Sequence, residues 1–237
     1  WVAGTMDWSL NPDNWNTTFL TDDRYSVLAA YMGRSTKVFK CPEDKFLSSL
    51  QKSRGYEARV RSYSACFTMG NPNQTQPEAV YKTITKMSQL SFPSPSESYV
   101  HMDEHPDAIN NAMCWGPFKN GSGFDMGDTP ATLHNAATGF SFADGHSEIH
   151  KWRGVLANNP RARRVAATLG VNDLNIATVA GGNSSNRWMA TDAPVYWKIP
   201  DTTNSASGEA LVKRRATRLT RTGRARCDRS RSRVAGS

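Results

Sequence analysis

The segment HNAATGFSFADGHSEIH, residues 134–150, constrains the fold more than any other part of the chain. Asp144-Gly145 predicts a two-residue type I′ turn, because both central residues of that turn need a positive φ. Such a turn would pair Ala143 with His146 and Phe140 with Ile149. The expected buried face carries Phe140, Phe142 and Ile149, and the expected polar face carries Ser141, His146, Glu148, His150 and Trp152. We therefore predict a β-hairpin with its phenylalanines inward and its imidazoles outward.

The polar face of this hairpin is a candidate metal site. His146 and His150 would lie about 13 Å apart on an extended strand, which is too far for both rings to bind one zinc ion at about 2.0–2.1 Å. His146 and Glu148 could share an ion with a third ligand from elsewhere. If the segment DEH lies on a neighbouring strand, the candidate ligands are Asp103, Glu104, His105, His134, His146 and Glu148. A solvated polar face is the simpler alternative, and both interpretations stay open.

His134 precedes the first strand of the hairpin, nine residues before Asp144. Its imidazole could bond a backbone carbonyl or the Asp144 carboxylate and so hold the entry of the strand in place. A single histidine in this setting is more often structural than catalytic.

The rest of the chain predicts short elements separated by long connections. A helix is expected from residue 21 or 22 to Gly33, with Tyr25, Leu28 and Tyr31 on one stripe. KVFKC predicts a strand stopped by Pro42, and Arg59–Phe67 and SYVHMDE predict two more strands. Residues 86–90 predict a small helical element, residues 116–131 a loop, and NRWMATDAP a last weak element. The expected fold class is α+β, with few short helices.

The positive charge is concentrated at the C-terminus. The net charge is +8, and residues 201–237 hold ten of the 29 Lys and Arg residues but three of the 21 acids. This tail has almost no large apolar residues beyond Leu219, which predicts disorder. We therefore expect a globular domain over residues 1–200 and a disordered Arg-rich tail over 201–237. The near-neutral body gives no reason to expect a nucleic-acid partner, whereas the tail leaves open a solvated or non-native extension, a nucleic-acid arm or an anionic-surface anchor.

The cysteines outside the tail are Cys41, Cys66 and Cys114, and their spacing fits no zinc motif. A Cys41–Cys66 disulfide in an exported protein and ordinary half-buried thiols are the two alternatives. No apolar run approaches the roughly 18 residues of a membrane span, and no signal peptide is visible. Because the first residue is Trp1 and not a methionine, and the sequence begins in the middle of a residue pattern, we expect the natural N-terminus to lie upstream.

Several blocks of the chain resemble one family. His134, nine residues and Asp144-Gly145 match the H-x9-DG domain of prepilin-type, type II secretion pseudopilin-like proteins of planctomycete and verrucomicrobial bacteria. KVFKCPED, RSYS, SPSESYVHMDEHPDAIN and FSFADGHSEIHKW follow in the order of the family from about Trp1 to Trp152, with a fainter match in NRWMA.

The resemblance implies a pilin-like antiparallel sheet packed on a helix that is missing here. It also implies an inner-membrane anchor through that helix, partnership with other pilin-like subunits or the secretion machinery, and a periplasmic or cell-surface location. Related pseudopilins bind calcium in a loop, for which the acids here are Asp103, Glu104, Asp107, Asp125 and Asp128.

The sequence favours a non-enzymatic structural subunit, since it contains no G-x-S-x-G, P-loop or dinucleotide motif. A metal-dependent hydrolase or oxidase of an extracellular polymer is the alternative. No cofactor is identified; calcium and a transition metal are the candidates.

Overall fold

The computed structural model describes residues 1–70, 83–91, 94–114, 117–120, 123–126, 128–152, 158–169 and 176–178. All of them belong to one compact unit, formed by Trp1–Thr75 and Lys82–Ile199. The predicted Arg-rich tail and the predicted element near NRWMA lie outside the described residues. Among the described residues, no helix has the length and apolar character that a membrane crossing requires.

A five-stranded mixed sheet organises the described part of the chain. Its strands are β1 (Tyr63–Cys66), β2 (Tyr99–Asp103), β3 (Met113–Cys114), β6 (Ala137–Phe142) and β7 (Ser147–Lys151), in the order β3-β1-β2-β6-β7. β1 and β3 are parallel, and the other pairs are antiparallel. Together with the few short helices, this sheet confirms the α+β class, but the sheet is not purely antiparallel.

A second sheet has three antiparallel strands in the order β4-β5-β8. They are β4 (Pro117–Asn120), β5 (Gly123–Met126) and β8 (Ile176–Thr178). The prediction of a loop over residues 116–131 is therefore wrong for β4 and β5. Three of the residues that suggested a loop lie in these strands, since Pro117 begins β4, Gly123 begins β5 and Asp125 lies within β5.

The helices within the described residues are all short. The α-helices are α1 (Thr18–Thr21), α2 (Ser49–Ser53) and α3 (Pro160–Arg163), and the 3₁₀-helices are Pro12–Asn14, Thr36–Phe39, Met87–Gln89 and Pro95–Glu97. The predicted helix up to Gly33 is wrong, because the chain continues from α1 in turns. Its supposed apolar stripe cannot hold a helix against the core, since Tyr25 and Tyr31 are exposed. The predicted strand before Pro42 is also wrong, because Thr36–Phe39 forms a 3₁₀-helix.

Other predicted elements are confirmed. β1 lies within the predicted strand Arg59–Phe67, and β2 coincides with SYVHMDE. The small element predicted near residue 88 is the 3₁₀-helix Met87–Gln89. Most residues of the two strands are buried on both faces of the sheet, because Ser64, Ala65 and Cys66 of β1 are buried in succession, as are Met102 and Asp103 of β2.

The predicted hairpin forms, but its register differs by one residue. Ser141 pairs with Ser147 and Phe140 with Glu148, so the loop has three residues, 143–145. The backbone N–H of Gly145 donates to the Phe142 carbonyl at 3.0 Å, and the φ of Gly145 is +94°. This is the pattern of a type I turn followed by a left-handed glycine, so the predicted type I′ turn is wrong.

The shift reverses the side-chain assignment of β7, as a one-residue slip must. Ile149 pairs with Gly139 and is 71% exposed, so its predicted burial is wrong. Glu148 and His150 pair with Phe140 and Thr138, which places them on the face of the phenylalanines. Trp152 is buried and its indole packs edge-on to Phe140, with ring centroids 6.3 Å apart. The predicted face of outward imidazoles therefore does not exist.

Candidate functional site

Three side chains from distant parts of the chain converge beside β2. The sulfur of Cys41 lies 3.3 Å from Nε2 of His134, and Oδ2 of Asp103 lies 3.5 Å from the same nitrogen. The three ligand atoms all lie within 4.8 Å of one another. Cys41 and Asp103 are buried, whereas the side chain of His134 is 34% exposed.

Cys41 is positioned by a β-turn in the segment CPED. The N–H of Asp44 donates to the Cys41 carbonyl at 3.1 Å, with Pro42 at the second position, where its fixed φ suits the turn. The buried Asp44 carboxylate accepts from Ser62 Oγ and from Lys40 Nζ, each at 2.8 Å. Ser62 Oγ in turn accepts from the Cys41 N–H at 3.2 Å. The thiol therefore has little freedom to move.

Asp103 is the last residue of β2 and pairs with Tyr63 of β1. On its other side, β6 presents Gly139. A β-carbon at that position would meet Oδ2 of Asp103 at 3.6 Å. The strand pairing thus places the Asp103 carboxylate against the backbone of Gly139, with room for a methyl group between them.

His134 lies in the loop that leads into β6, and the next two residues have unusual backbone conformations. Asn135 and Ala136 have φ of +56° and +60°, which costs non-glycine residues about 1–2 kcal/mol each. The loop is closed because Ala136 N–H donates to the Thr132 carbonyl at 3.1 Å, and Trp152 N–H donates to the Ala136 carbonyl at 2.8 Å. Backbone strain of this kind occurs where the fold must aim a side chain.

The nine-residue spacing from His134 to Asp144 follows from this geometry. The residues between them complete the strained loop, run through β6 and enter the hairpin turn. Asp144 does not contact His134 as one interpretation predicted, because its Oδ1 bonds Nδ1 of His146 at 2.6 Å. The two ends of the motif therefore act separately, one at the cluster and one at the turn.

Burial dominates the electrostatics of the cluster. It raises the pKa of Asp103 to about 6, and the neighbouring Asp44 carboxylate adds to that rise, whereas His134 opposes it. Burial likewise raises the pKa of the Cys41 thiol, with a further contribution from the charge of Asp103. Oδ1 of Asp103 is buried without a hydrogen-bond partner. The basic groups that lower the pKa of Asp103 are His134 and Lys40, and Lys40 is already bonded to Asp44 at 2.8 Å.

This arrangement is not that of a nucleophilic triad. In such a triad the acid orients one ring nitrogen while the other nitrogen takes the proton of the nucleophile. Here Asp103 and Cys41 both approach Nε2 of His134. A buried thiol with a raised pKa is also a poor nucleophile.

The remaining predicted ligands do not join this cluster. Within the described residues, the group able to hold a metal comprises Cys41, Asp103 and His134. Glu104 is buried next to the guanidinium groups of Arg59 and Arg61. Nδ1 of the buried His105 accepts from the Asp107 N–H at 3.2 Å.

On the hairpin, His146 bonds Asp144 and stacks on Phe142, and Glu148 lies 3.8 Å from His150. Of the calcium candidates, Asp107 is already engaged by the backbone, since its two carboxylate oxygens accept from the N–H groups of Ala166 and Ala167. The side chain of Asp125 lies outside the described residues.

Sequence reasoning missed Cys41. The spacing of the cysteines indicates only disulfides or zinc motifs, whereas the sulfur of Cys41 contacts His134, which lies 93 residues further along the chain. Cys41, Cys66 and Cys114 are all free thiols, so the alternative of a Cys41–Cys66 disulfide is not what this structure contains. The usable signal was the CPED turn, which fixes a cysteine at the edge of the core.

No protein-family model, curated protein or solved structure matches this chain.

Proposed function

We propose that this chain is the globular part of a non-enzymatic structural subunit of a pilin-like filament or a type II secretion assembly. One observation carries the proposal: the residues of the H-x9-DG motif and its neighbours organise the fold. Asp144 and Gly145 form the hairpin turn, and His134 ties its loop to Cys41 and Asp103. Cys41 and Asp103 are buried, so a polymeric substrate would not reach them.

A pilin-like subunit needs a sheet face on which a helix can pack. The face that carries Gly139 and Ile149 has a groove of about 340 Å³, lined by Tyr63, His101, Gly139, Phe140, Ser141, Ser147, Glu148 and Ile149. Ile149 is a large apolar side chain exposed on this face. The proposal places the membrane-anchoring helix of the family, or a neighbouring subunit, against this groove, and the protein at the periplasmic or outer cell surface.

Cell fractionation with an antiserum against this chain tests the proposal. We expect the protein to sediment with the cell envelope or with filaments, and we expect in vivo crosslinking to join it to copies of itself or to other pilin-like subunits. Ile149→Lys should fold and yet lose this sedimentation. Val27→Lys changes a similarly exposed residue elsewhere and is the matched control. A wild-type protein found as a monomer in the cytoplasmic fraction would contradict the proposal.

The second candidate function is a metal-dependent hydrolase or oxidase of an extracellular polymer. The convergence of Cys41, Asp103 and His134 favours it, because three protein ligands with an open fourth position are typical of catalytic zinc sites. Turnover of a polysaccharide by purified protein, abolished by a chelator and restored by metal, would establish this function in place of the structural one.

A further inference from the structure

We propose that Cys41, Asp103 and His134 bind one divalent transition-metal ion, with zinc as the ion that their chemistry fits best. The inference goes beyond the proposed function and does not rest on it. A filament subunit and an enzyme could both contain such a site. The bound ion joins the CPED turn, the end of β2 and the loop before β6.

The two distances that end at Nε2 of His134 match those around a tetrahedral ion, and the third, between Cys41 and Asp103, is within 4.8 Å. Zinc binds sulfur at about 2.3 Å, imidazole nitrogen at about 2.0–2.1 Å and carboxylate oxygen at about 2.0–2.2 Å. At tetrahedral angles these bonds place sulfur about 3.6 Å and oxygen about 3.4 Å from the nitrogen. The observed distances to Nε2 of His134 are 3.3 Å from Cys41 Sγ and 3.5 Å from Asp103 Oδ2.

Without a metal, the two contacts of Nε2 have to share a single proton, and at 3.3 and 3.5 Å both are long. Nε2 of a neutral imidazole either carries a proton or offers a lone pair. In the metal-free protein, one N–H on Nε2 can serve both contacts only as a shared, three-centre hydrogen bond to the Cys41 sulfur and the Asp103 carboxylate. A metal ion replaces the shared proton and satisfies the sulfur, the nitrogen and the oxygen together.

The buried negative charge of Asp103 also favours a bound metal ion. The Asp103 side chain is almost completely buried, and its Oδ1 has no hydrogen-bond partner. The nearby Lys40 ammonium is already bonded to Asp44, at 2.8 Å. A buried carboxylate is costly unless a cation or several donors compensate it. A divalent ion at the meeting point of the three ligands supplies that cation.

The donor set selects the class of metal. Calcium and magnesium bind oxygen ligands, whereas a thiolate and an imidazole favour zinc and other transition metals. The partial exposure of His134 gives the ion a route from solvent and leaves the fourth position for water.

Metal titration of the purified protein tests this inference. After removal of bound metal with a chelator, we expect the wild type to bind one equivalent of Zn²⁺ and to melt at a higher temperature with it. One equivalent of Co²⁺ should give the near-ultraviolet charge-transfer absorption of a cobalt–thiolate bond. This absorption reports the Cys41 sulfur directly, independently of any activity or filament assembly.

The variants Cys41→Ser, Asp103→Asn and His134→Gln should each weaken Zn²⁺ binding by more than about 100-fold. Cys66→Ser and His146→Gln are the matched controls and should bind as the wild type does, because Cys66 faces Thr68 and His146 bonds Asp144. Near-ultraviolet circular dichroism of each metal-free variant checks its fold. If the two buried substitutions unfold the protein, His134→Gln decides the question, since that side chain is partly exposed.

Two results would overturn the inference. One is a wild-type protein that binds neither Zn²⁺ nor Co²⁺ in a one-to-one complex. The other is binding that a folded His134→Gln variant retains, or that Cys66→Ser and His146→Gln lose to the same extent.

Discussion

The rings of Phe142 and His146 stack face to face across the hairpin, with centroids 4.3 Å apart and planes inclined by 10°. This contact exists because the loop has three residues and so places the two rings on the same face of the sheet. Every side chain of β7 takes its direction from that loop. The register is therefore the first feature to test.

Ile149→Lys should leave the free energy of unfolding within about 0.5 kcal/mol of the wild type, because the side chain is 71% exposed. Phe140→Ala should lower it by about 3–5 kcal/mol, because that ring is buried against Tyr99 and Trp152. Urea denaturation followed by tryptophan fluorescence measures both. A loss of several kcal/mol for Ile149→Lys would contradict this register and would support the two-residue turn, in which Ile149 is buried.

Two glycines of the hairpin should respond differently to alanine. Gly145→Ala should lower the free energy of unfolding by about 1–2 kcal/mol, because φ at this position is +94° although the space around it is open. Gly145→Asn should recover part of that loss, since asparagine tolerates the left-handed region.

Gly139→Ala should be neutral or stabilising by up to about 1 kcal/mol, because its new methyl group meets only Oδ2 of Asp103, at 3.6 Å. Thermal denaturation of the three variants provides the comparison. Equal losses at Gly139 and Gly145 would contradict the assignment of the turn.

The sequence predicted the elements whose signals are local. Asp144-Gly145 marks a hairpin under either loop length, because a type I turn followed by a left-handed glycine also favours these residues. The two loops differ in which residues of β7 become buried, and that depends on packing by Trp152 beyond the hairpin. The β1 strand was predicted because period-two alternation is visible in RVRSYSACF, within a few residues of sequence.

The candidate site could be predicted only in part. Asp103 and His134 were both singled out as metal ligands, but they meet because β2 pairs with β6, and no local pattern specifies that pairing. Cys41 joins them through the CPED turn. That turn is held in place by Ser62, which bonds the Cys41 N–H, and by Lys40, which bonds Asp44. The prediction of a helix ending at Gly33 was wrong for a related reason. Helical spacing of tyrosines does not ensure that the core offers a surface for them to pack against.

Arg59 is a buried cation that we expect to be essential for stability. Its guanidinium carbon lies 3.7 Å from the centroid of the Trp8 ring, and Nη2 donates to the Pro106 carbonyl at 2.9 Å. Arg59→Ala should lower the free energy of unfolding by about 3–5 kcal/mol, because it removes the stacking on Trp8 and a buried positive charge that interacts with the Asp44, Asp107 and Glu104 carboxylates.

Arg59→Lys should have a smaller effect, because it keeps the charge but loses the planar stacking. Guanidinium denaturation measures both variants. Arg24→Ala is the control and should not move the midpoint, because it removes an exposed ion pair with Asp22. An Arg59→Ala midpoint equal to that of the control would contradict the role assigned to Arg59.

The pH dependence of stability should report the buried His105. Burial lowers the pKa of this imidazole to about 4, whereas an unfolded chain has a histidine pKa near 6.5. Between these values the unfolded state binds the additional proton, so the contribution of His105 to stability is present above pH 6.5 and is lost as the pH falls towards 4. The expected slope is about 1.4 kcal/mol per pH unit.

His105→Asn removes this titration and keeps a side-chain acceptor for the Asp107 N–H, which His105 Nδ1 binds at 3.2 Å. The variant should be less stable than the wild type at pH 7, and the difference should shrink by about 2 kcal/mol at pH 5. Urea denaturation at both pH values measures the two free energies. Two other buried groups titrate in the same range: the pKa of Asp103 is raised to about 6, which opposes the effect of His105, and the pKa of His101 is lowered to about 4. Both groups are present in both proteins, so their effects cancel in the comparison. Parallel pH profiles for the wild type and His105→Asn would show that His105 is not held neutral by the fold.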